Sequence, residues 1–286
     1  MCNALHCPGS WSNLRIMRWL RSLTSRQTAT FFVVIALARG LNQIKADAPV
    51  TAAVAFDTYV ATLEARLLRQ HGGTTNFFVP TGVDSEAKLR QGELVVEQLS
   101  PVDGLPLPGA TLYHWRGTAF AHGAQPADFE RLMRNFAGYP KCFAPEVSQA
   151  RVTGGQNDRL QVVMRAKQRH GITVVMDTSY DVTFGRFDPL HGFSISRSTQ
   201  ISEIDGAGTA HEHALSSSQA HGFLWRQNTY WSYEERDGGL YMQIESVSLT
   251  RAVPTGLGWA VGPFVQRVPK ESLEFTLRAI TSAIRR

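Results

Sequence analysis

The stretch FLWRQNTYWSYEERDGGLYMQIESVSLTR, residues 223–251, contains two runs of alternating side chains that flank Asp237 and Gly238. A two-residue connection of this composition is a strong short-range signal for a β-hairpin. If Arg236 lies opposite Gly239, odd-numbered residues of the first strand share a face with even-numbered residues of the second. A register slip of two residues leaves this parity unchanged, so the stretch predicts which residues share each face of the hairpin.

One predicted face is aromatic near the turn and polar further back. The members that we assign to a cavity lining are Trp225, Gln227, Thr229, Trp231, Met242, Ile244, Ser246 and Ser248. Burying a hydroxyl or amide group without a hydrogen-bond partner costs about 1 to 3 kcal/mol. The polar members therefore require one another, water or a ligand. Two interpretations stay open: a ligand cavity, or a polar patch whose members satisfy each other.

The opposite face of the hairpin is a mixture of polar, charged and aromatic side chains. Its members are Leu224, Arg226, Asn228, Tyr230, Ser232, Glu234, Tyr241, Gln243 and Glu245. Such a mixture is typical of an antiparallel sheet that has one face in water. We therefore expect this face to be half-exposed.

The net charge of +5 at pH 7 is concentrated at the start of the 286-residue chain. Residues 1–46 contain six basic side chains and no acidic one, which leaves 23 Lys and Arg against 24 Asp and Glu in the remaining 240 residues. A nearly neutral body lacks the basic footprint of a protein that binds phosphate backbones. We therefore do not expect nucleic acid as a partner.

The basic start is followed by the apolar run 29–38, which is shorter than the roughly 20 residues of a membrane span. A basic region followed by a short apolar run is typical of an export signal. Ala36-Leu37-Ala38 supplies a cleavage site, so we predict a mature chain from Arg39 and a periplasmic or extracellular location. Met17 is an alternative start, and an uncleaved membrane anchor is the alternative to cleavage.

Residues 50–70 predict an amphipathic helix, whose apolar stripe is formed by Phe56, Tyr59, Val60, Leu63 and Leu67. Such a helix docks on another surface, and a membrane or an envelope protein is one candidate. The Pro- and Gly-rich segment 101–109 then marks a boundary. We predict three parts in the chain: a signal peptide at 1–38, the N-terminal helix and linker at 39–109, and the main domain at 110–286.

The main domain predicts an α+β fold. A strand at 111–121 precedes a helix that opens with Pro126 and Asp128, and about six antiparallel strands follow. A long helix beginning near Pro269 ends the chain. Its apolar stripe consists of Leu273, Leu277, Ile280 and Ile284.

Two segments of this domain resemble a known superfamily. They are FERLMRNFAGYP at 129–140, followed by Pro145-Glu146-Val147, and YWSYEERDGGLY at 230–241. Together with the terminal helix, these segments resemble the START-like, or helix-grip, superfamily, which includes polyketide cyclase/dehydrase-like and coenzyme Q-binding-like members. The resemblance covers roughly residues 111–286.

The resemblance implies a curved antiparallel sheet wrapped around a long C-terminal helix, with the helix at 50–70 as an extra element. In such families the cavity between sheet and terminal helix holds a lipid, an isoprenoid, a polyketide or another apolar molecule. The superfamily has no shared catalytic signature, so the resemblance implies a fold and a ligand class without implying a reaction.

Arg197 lies in a strand where Phe193, Ile195 and Ile201 are expected on the same face as the arginine. A guanidinium group in a pocket binds an anionic headgroup through two parallel hydrogen bonds, so we include Arg197 as a ligand contact. The alternative is an arginine at the rim of the sheet or paired with a carboxylate.

Metal binding, acid/base catalysis and thiol chemistry each have candidate residues in the sequence. The histidines of His211-Glu212-His213, together with His221, carry ligand atoms for zinc or copper, but their spacing matches no helical metal motif, and we predict no metal and no cofactor. His114 with Tyr113 or Tyr139 is the best acid/base arrangement. Cys142 is the lone cysteine after the predicted signal peptide and is interpreted as a small apolar filler.

We therefore predict an exported bacterial protein that binds an apolar or amphipathic, lipid-like molecule and has no catalytic residues. The alternatives are a cyclase or dehydratase that acts on a polyketide-like substrate, and an envelope interaction module whose N-terminal helix docks on a partner.

Overall fold

The computed structural model describes residues 47–72, 77, 83–101, 104–170, 172–252 and 258–285. The side chains of residues 83, 169, 170, 172 and 258–267 are outside this description. The predicted signal peptide also lies outside the described residues. No helix in the described ranges is both long enough and apolar enough to cross a lipid bilayer.

Five α-helices and ten strands follow one another in the described part. The helices are α1 (Val50–His71), α2 (Val83–Arg90), α3 (Pro126–Arg134), α4 (Tyr139–Cys142) and α5 (Gly258–Ile284). The strands are β1 (Val95–Gln98), β2 (Leu105–Leu107), β3 (Ala110–His122), β4 (Val147–Gln156), β5 (Arg159–His170), β6 (Ile172–Arg186), β7 (His191–Asp205), β8 (His213–Ala214), β9 (Arg226–Arg236) and β10 (Gly239–Arg251). The strand order is β1-β3-β10-β9-β7-β6-β5-β4, with β2 beside β3 and β8 beside β7, and every pairing is antiparallel.

The predicted hairpin is confirmed as β9 and β10. Arg236 pairs with Gly239, and the register continues unbroken to Arg226 opposite Leu249. Asp237 and Gly238 have φ angles of 56° and 74°. Positive φ at both central residues is the geometry that a tight turn needs to match the twist of the strands.

The inner face of the sheet packs against α5. The predicted stripe of α5, from Leu273 to Ile284, lies in one core cluster with Trp231, Met242 and Ile244. A Cβ atom at Gly117 would lie 2.7 Å from Cδ1 of Leu277, so glycine there allows the helix to approach the sheet closely. The α+β helix-grip class, with a curved sheet around the terminal helix, is therefore confirmed.

The outer face of the sheet packs against α1, and our expectation that this face is half-exposed was wrong. The buried stripe of α1, including Phe56 and Leu63, joins a second core cluster with Leu112, Val247 and Leu249 of the sheet. Six polar or aromatic residues of the outer face are buried: Asn228, Tyr230, Ser232, Tyr241, Gln243 and Glu245. The amphipathic helix thus docks on the sheet of its own chain. Its Glu64, Arg66 and His71 are hydrogen-bond partners of Tyr230, Glu245 and Ser232, respectively.

A bulge in β7 changes the face of Ile201. Tyr180 pairs with Ser198, whereas the preceding Ser179 pairs with Gln200, so Thr199 is extra. An extra residue reverses the in/out alternation beyond it. Ile195 therefore packs toward the outer cluster, and Ile201 falls on the inner face, contrary to the predicted single face for both.

The packing of α1 leads to a stability prediction. Phe56 is 1% exposed, so Phe56→Ala leaves a cavity and should lower the free energy of unfolding by about 3 to 5 kcal/mol. Val54 lies half a turn away on the same helix and is 59% exposed, so Val54→Ala should change this free energy by less than about 0.5 kcal/mol. Urea denaturation of both variants measures the difference. Equal, small losses would show that α1 contributes little to the folded state.

Candidate functional site

The inner face carries two adjacent rows of polar side chains that cross four strands. In the first polar row, Ser246 pairs with both Trp115 and Thr229, and Thr229 pairs with Ser196. In the second polar row, Ser248 pairs with both Tyr113 and Gln227, and the Gln227 backbone N–H donates to Oγ of Ser198 at 2.9 Å. Directly paired residues of antiparallel strands project from the same face. The members of the two rows are therefore Trp115, Ser246, Thr229 and Ser196, and Tyr113, Ser248, Gln227 and Ser198.

The next row toward the hairpin turn is dry. It contains Gly117, Ile244, Trp231 and Ser194, and the last three side chains are 4%, 3% and 0% exposed. In contrast, Gln227, Thr229, Ser246 and Ser248 are half-buried. The inner face thus changes from a packed apolar core beneath the second half of α5 to a partly accessible polar surface.

Most of the polar groups on this surface are not hydrogen-bonded to other described side chains. The hydroxyl groups without such a bond are those of Ser196, Thr229, Ser246 and Ser248. Nε1 of Trp115 and Oγ of Ser194 are buried and have no partner at all among the described residues. Gln227 does have one, because the hydroxyl of Tyr180 donates to its Oε1 at 3.2 Å. Within the described residues, these groups therefore do not satisfy one another.

The structure brings together seven of the nine residues predicted to contact a ligand. Of these seven, Trp231, Met242 and Ile244 belong to the packed core, and the four on the polar rows are Gln227, Thr229, Ser246 and Ser248. Sequence reasoning missed Trp115 and Ser196 as members of the first row. The alternation of Tyr113 with Trp115 and of serines 194, 196 and 198 was visible, but strand order was needed to align them with the hairpin.

Trp225 is not on the inner face, because β9 begins one residue later at Arg226 and the alternation does not extend to it. Its side chain packs against the outer cluster, and the Arg251 guanidinium lies 5.9 Å from its ring centroid. Trp225 therefore does not join the seven residues that the structure brings together.

Arg197 is also on the outer face, since it pairs with Asn228. Its Nε donates to Oε1 of Glu64 on α1 at 2.7 Å, and the hydroxyl of Tyr230 donates to the same oxygen at 2.9 Å. The arginine thus has a carboxylate partner from its own chain. It is separated from the polar rows by the thickness of the sheet.

A buried polar cluster ties α1 to the outer face. Oη of Tyr59 lies 2.8 Å from Nδ1 of His114, and Nε2 of His114 lies 2.9 Å from Oε2 of Glu245. Nη2 of Arg66 donates to the same Glu245 oxygen at 2.5 Å. Burial raises the pKa of Glu245, but the His114 hydrogen bond and the Arg66 charge outweigh burial and hold this pKa below its ordinary value. Burial and the nearby Glu245 charge raise the pKa of Tyr59, so its phenol stays protonated.

This cluster overturns the predicted acid/base arrangement. His114 contacts Tyr59, whereas the hydroxyl of Tyr139 donates to the carbonyl oxygen of Met133 at 2.7 Å. Tyr113 lies on the inner face, on the other side of the sheet from the His114 ring. His114 therefore faces α1 and cannot act on a molecule held by the polar rows.

The other candidate residues are engaged elsewhere in the described part. Glu212 accepts from Arg165 at 2.7 Å, and Nδ1 of His221 lies 2.8 Å from a buried Glu203 oxygen. Within the described ranges, no group of three or more His, Cys, Asp or Glu side chains could hold a metal ion. Burial raises the pKa of the Cys142 thiol, which disfavours the reactive thiolate.

No family model matches the sequence, and no curated protein matches it either. Among solved structures, the chain is similar to a protein from Thermus thermophilus, with 15% identity, a TM-score of 0.42, and coverage of 59% of this chain and 94% of that one. It is similar to a STAR-related lipid transfer protein from Xanthomonas axonopodis, with 13% identity, a TM-score of 0.39 and coverage of 61% and 97%. It is also similar to the Zhui aromatase/cyclase from Streptomyces sp. R1128, with 12% identity, a TM-score of 0.41 and coverage of 60% and 92%.

The likeness to these structures is one of fold alone.

The outer cluster leads to a prediction of pH dependence. Nε2 of His71, at the end of α1, lies 2.8 Å from Oγ of Ser232. The His71 ring stacks on the Phe77 ring, with 4.6 Å between the two centroids. Burial and the nearby Arg66 charge lower the pKa of His71 from 6.5 to about 4. The unfolded chain therefore binds this proton more readily between those values, and the free energy of unfolding should fall as the pH drops from about 6.5 to 4.

The substitution His71→Gln provides a side-chain amide that can still hydrogen-bond to Ser232, and it removes the imidazole that titrates. We expect the pH-dependent loss of stability to shrink by about 1 to 2 kcal/mol, an amount reduced for solvent screening. Urea denaturation at pH 7, 5.5 and 4 measures it, with His213→Gln at an exposed histidine as the matched control. A His71→Gln profile that parallels the wild type would remove His71 as the source.

Proposed function

We propose that this protein binds an apolar or amphipathic, lipid-like small molecule on the inner face, between the sheet and α5. The observation that carries the proposal is a set of uncharged polar groups on the two rows, beside the packed apolar core. The Trp115 indole and the hydroxyls of Ser196, Thr229, Ser246 and Ser248 have no hydrogen-bond partner among the described residues. Such groups are solvated or ligand-bound, because leaving them buried and unpaired costs about 1 to 3 kcal/mol each. A mostly apolar pocket with a few polar groups is the usual form of a small-molecule site.

The free energy gained by burying the hydrocarbon of a ligand is sufficient for a carrier protein. Covering about 300 Å² of ligand hydrocarbon at about 25 cal/mol per Å² gives roughly 7 kcal/mol before the costs of association. No charged contact is needed for modest affinity. The name lipid transfer protein belongs to a similar structure and suggests only which ligand class to try first.

Binding is favoured over catalysis by the position of His114. The cyclase or dehydratase alternative needed this histidine on the inner face, and both of its ring nitrogens instead face partners on the outer side. None of the eight residues in the two polar rows is a histidine, a cysteine or a carboxylate. The rows thus offer positioning groups without a general base.

Export and envelope contact are part of the proposal. The basic start and the apolar run 29–38 support export, and the exposed side of α1 supports a contact with the membrane or an envelope protein. On that side Val50, Val54 and Leu68 are 80%, 59% and 71% exposed.

The test is to fill the space over the polar rows. Thr229→Trp places a large ring on the inner face, so a mass that co-purifies with the wild type, seen by native mass spectrometry and identified after solvent extraction, should be lost. Ser179→Trp, on the outer face of β6, is the matched control and should retain the mass. Nile red fluorescence titration provides a second readout for both variants.

Two outcomes would contradict the proposal. One is a wild-type protein that carries no small molecule and does not bind Nile red. The other is equal retention of the bound mass by Thr229→Trp and Ser179→Trp, which would place the ligand away from the inner face.

A further inference from the structure

We infer that the bound molecule has an uncharged polar part with several hydroxyl or carbonyl oxygens, and that this part lies across the two polar rows. The inference rests on the proposed function and specifies its ligand. It follows from the dimensions, the hydrogen-bonding groups and the charge of the rows.

The polar rows are wide. Neighbouring strands are about 4.8 Å apart and alternate residues along a strand about 6.8 Å apart, so two rows on four strands span about 14 Å by 7 Å. A single ester or acid group covers only a small part of this area. A molecule with oxygens at several positions can meet the groups of both rows at once.

The rows are rich in donors. The indole of Trp115 only donates, and its Nε1 is buried without a partner in the described part of the chain. Oε1 of Gln227 is engaged by Tyr180, which directs the donating amide nitrogen elsewhere. The hydroxyls of Ser196, Thr229, Ser246 and Ser248 each donate and accept. Hydroxyl and carbonyl oxygens match both kinds of group.

The rows are uncharged. Neither row contains Arg, Lys, His, Asp or Glu, and Arg197 is held by Glu64 on the outer face. An anionic headgroup on the rows would leave water without gaining a positive partner there. A neutral polar part avoids this loss, and therefore a neutral ligand is preferred over an anionic one with the same chain.

The experiment uses three probes with one acyl chain: 1-monolauroylglycerol, methyl laurate and laurate. They present a neutral head with two hydroxyls, a neutral ester and an anion. We expect monolauroylglycerol to displace Nile red from the full-length protein at about 5- to 10-fold lower concentration than either other probe, as one or two net hydrogen bonds allow. In a double Thr229→Val and Ser246→Val variant this preference should fall to within about 2-fold.

Thr183→Val, the same change at a half-buried position on the outer face of β6, is the matched control and should keep the preference. Circular dichroism checks folding, and the single Ser246→Val variant replaces the double one if that does not fold. Equal binding of the three probes, tightest binding of laurate, or an unchanged preference in the valine variant would overturn this inference and leave the proposed function standing. Failure of the folded wild type to bind any probe or Nile red would overturn the proposed function itself.

Discussion

The rest of the structure depends on one constraint: side chains of β9 and β10 alternate between two faces of the sheet, and a helix covers each face. The side chains of consecutive residues in these strands therefore point into two different cores, one beneath each helix. Ile244 lies in the apolar core beneath α5, Glu245 lies beneath α1, and Ser246 returns to the inner face. A sheet with one wet face could leave Glu245 in water. With both faces covered, each buried polar residue requires a partner from a helix, a neighbouring strand, water or a ligand.

The two helices cover the faces of the sheet by different chemistry. α5 contributes Leu and Ile side chains and packs closely over Gly117, whereas α1 contributes both an apolar stripe and the groups that pair with buried charges. Of the Arg66–Glu245 pair only the carboxylate is fully buried, so the loss of Arg66 would leave the buried Glu245 charge with less compensation. The Arg66–Glu245 pair therefore favours the docked position of α1 that its apolar stripe also stabilises. The network lies on the opposite side of the sheet from the candidate site, because Glu245 and His114 alternate along their strands with Ser246 and Trp115 of the first polar row.

The sequence was sufficient for features that depend on local periodicity and failed where a tertiary detail altered the phase. The register of the hairpin and the apolar stripe of α5 follow from repeats of two and of about 3.6 residues, and both were predicted. Trp225 was misplaced because a strand began one residue later than assumed, and Ile201 because a single extra residue at Thr199 reversed the alternation. The docking of α1 could not be derived either. An amphipathic stripe shows that a helix has a buried side but does not identify the surface that buries it.

The relative size of two energies decides what kind of molecule suits the inner face. A purely hydrocarbon ligand that covered the hydroxyls of Ser196, Thr229, Ser246 and Ser248 would remove their water and leave them unpaired, at about 1 kcal/mol each even at the low end of the range. The total, about 4 kcal/mol, offsets more than half of the roughly 7 kcal/mol expected from burying about 300 Å² of hydrocarbon. A ligand that returns hydrogen bonds to the rows retains most of that gain. The polar rows thus act less as a source of affinity than as a penalty on molecules without oxygens, which is how a neutral surface can select among ligands of equal length.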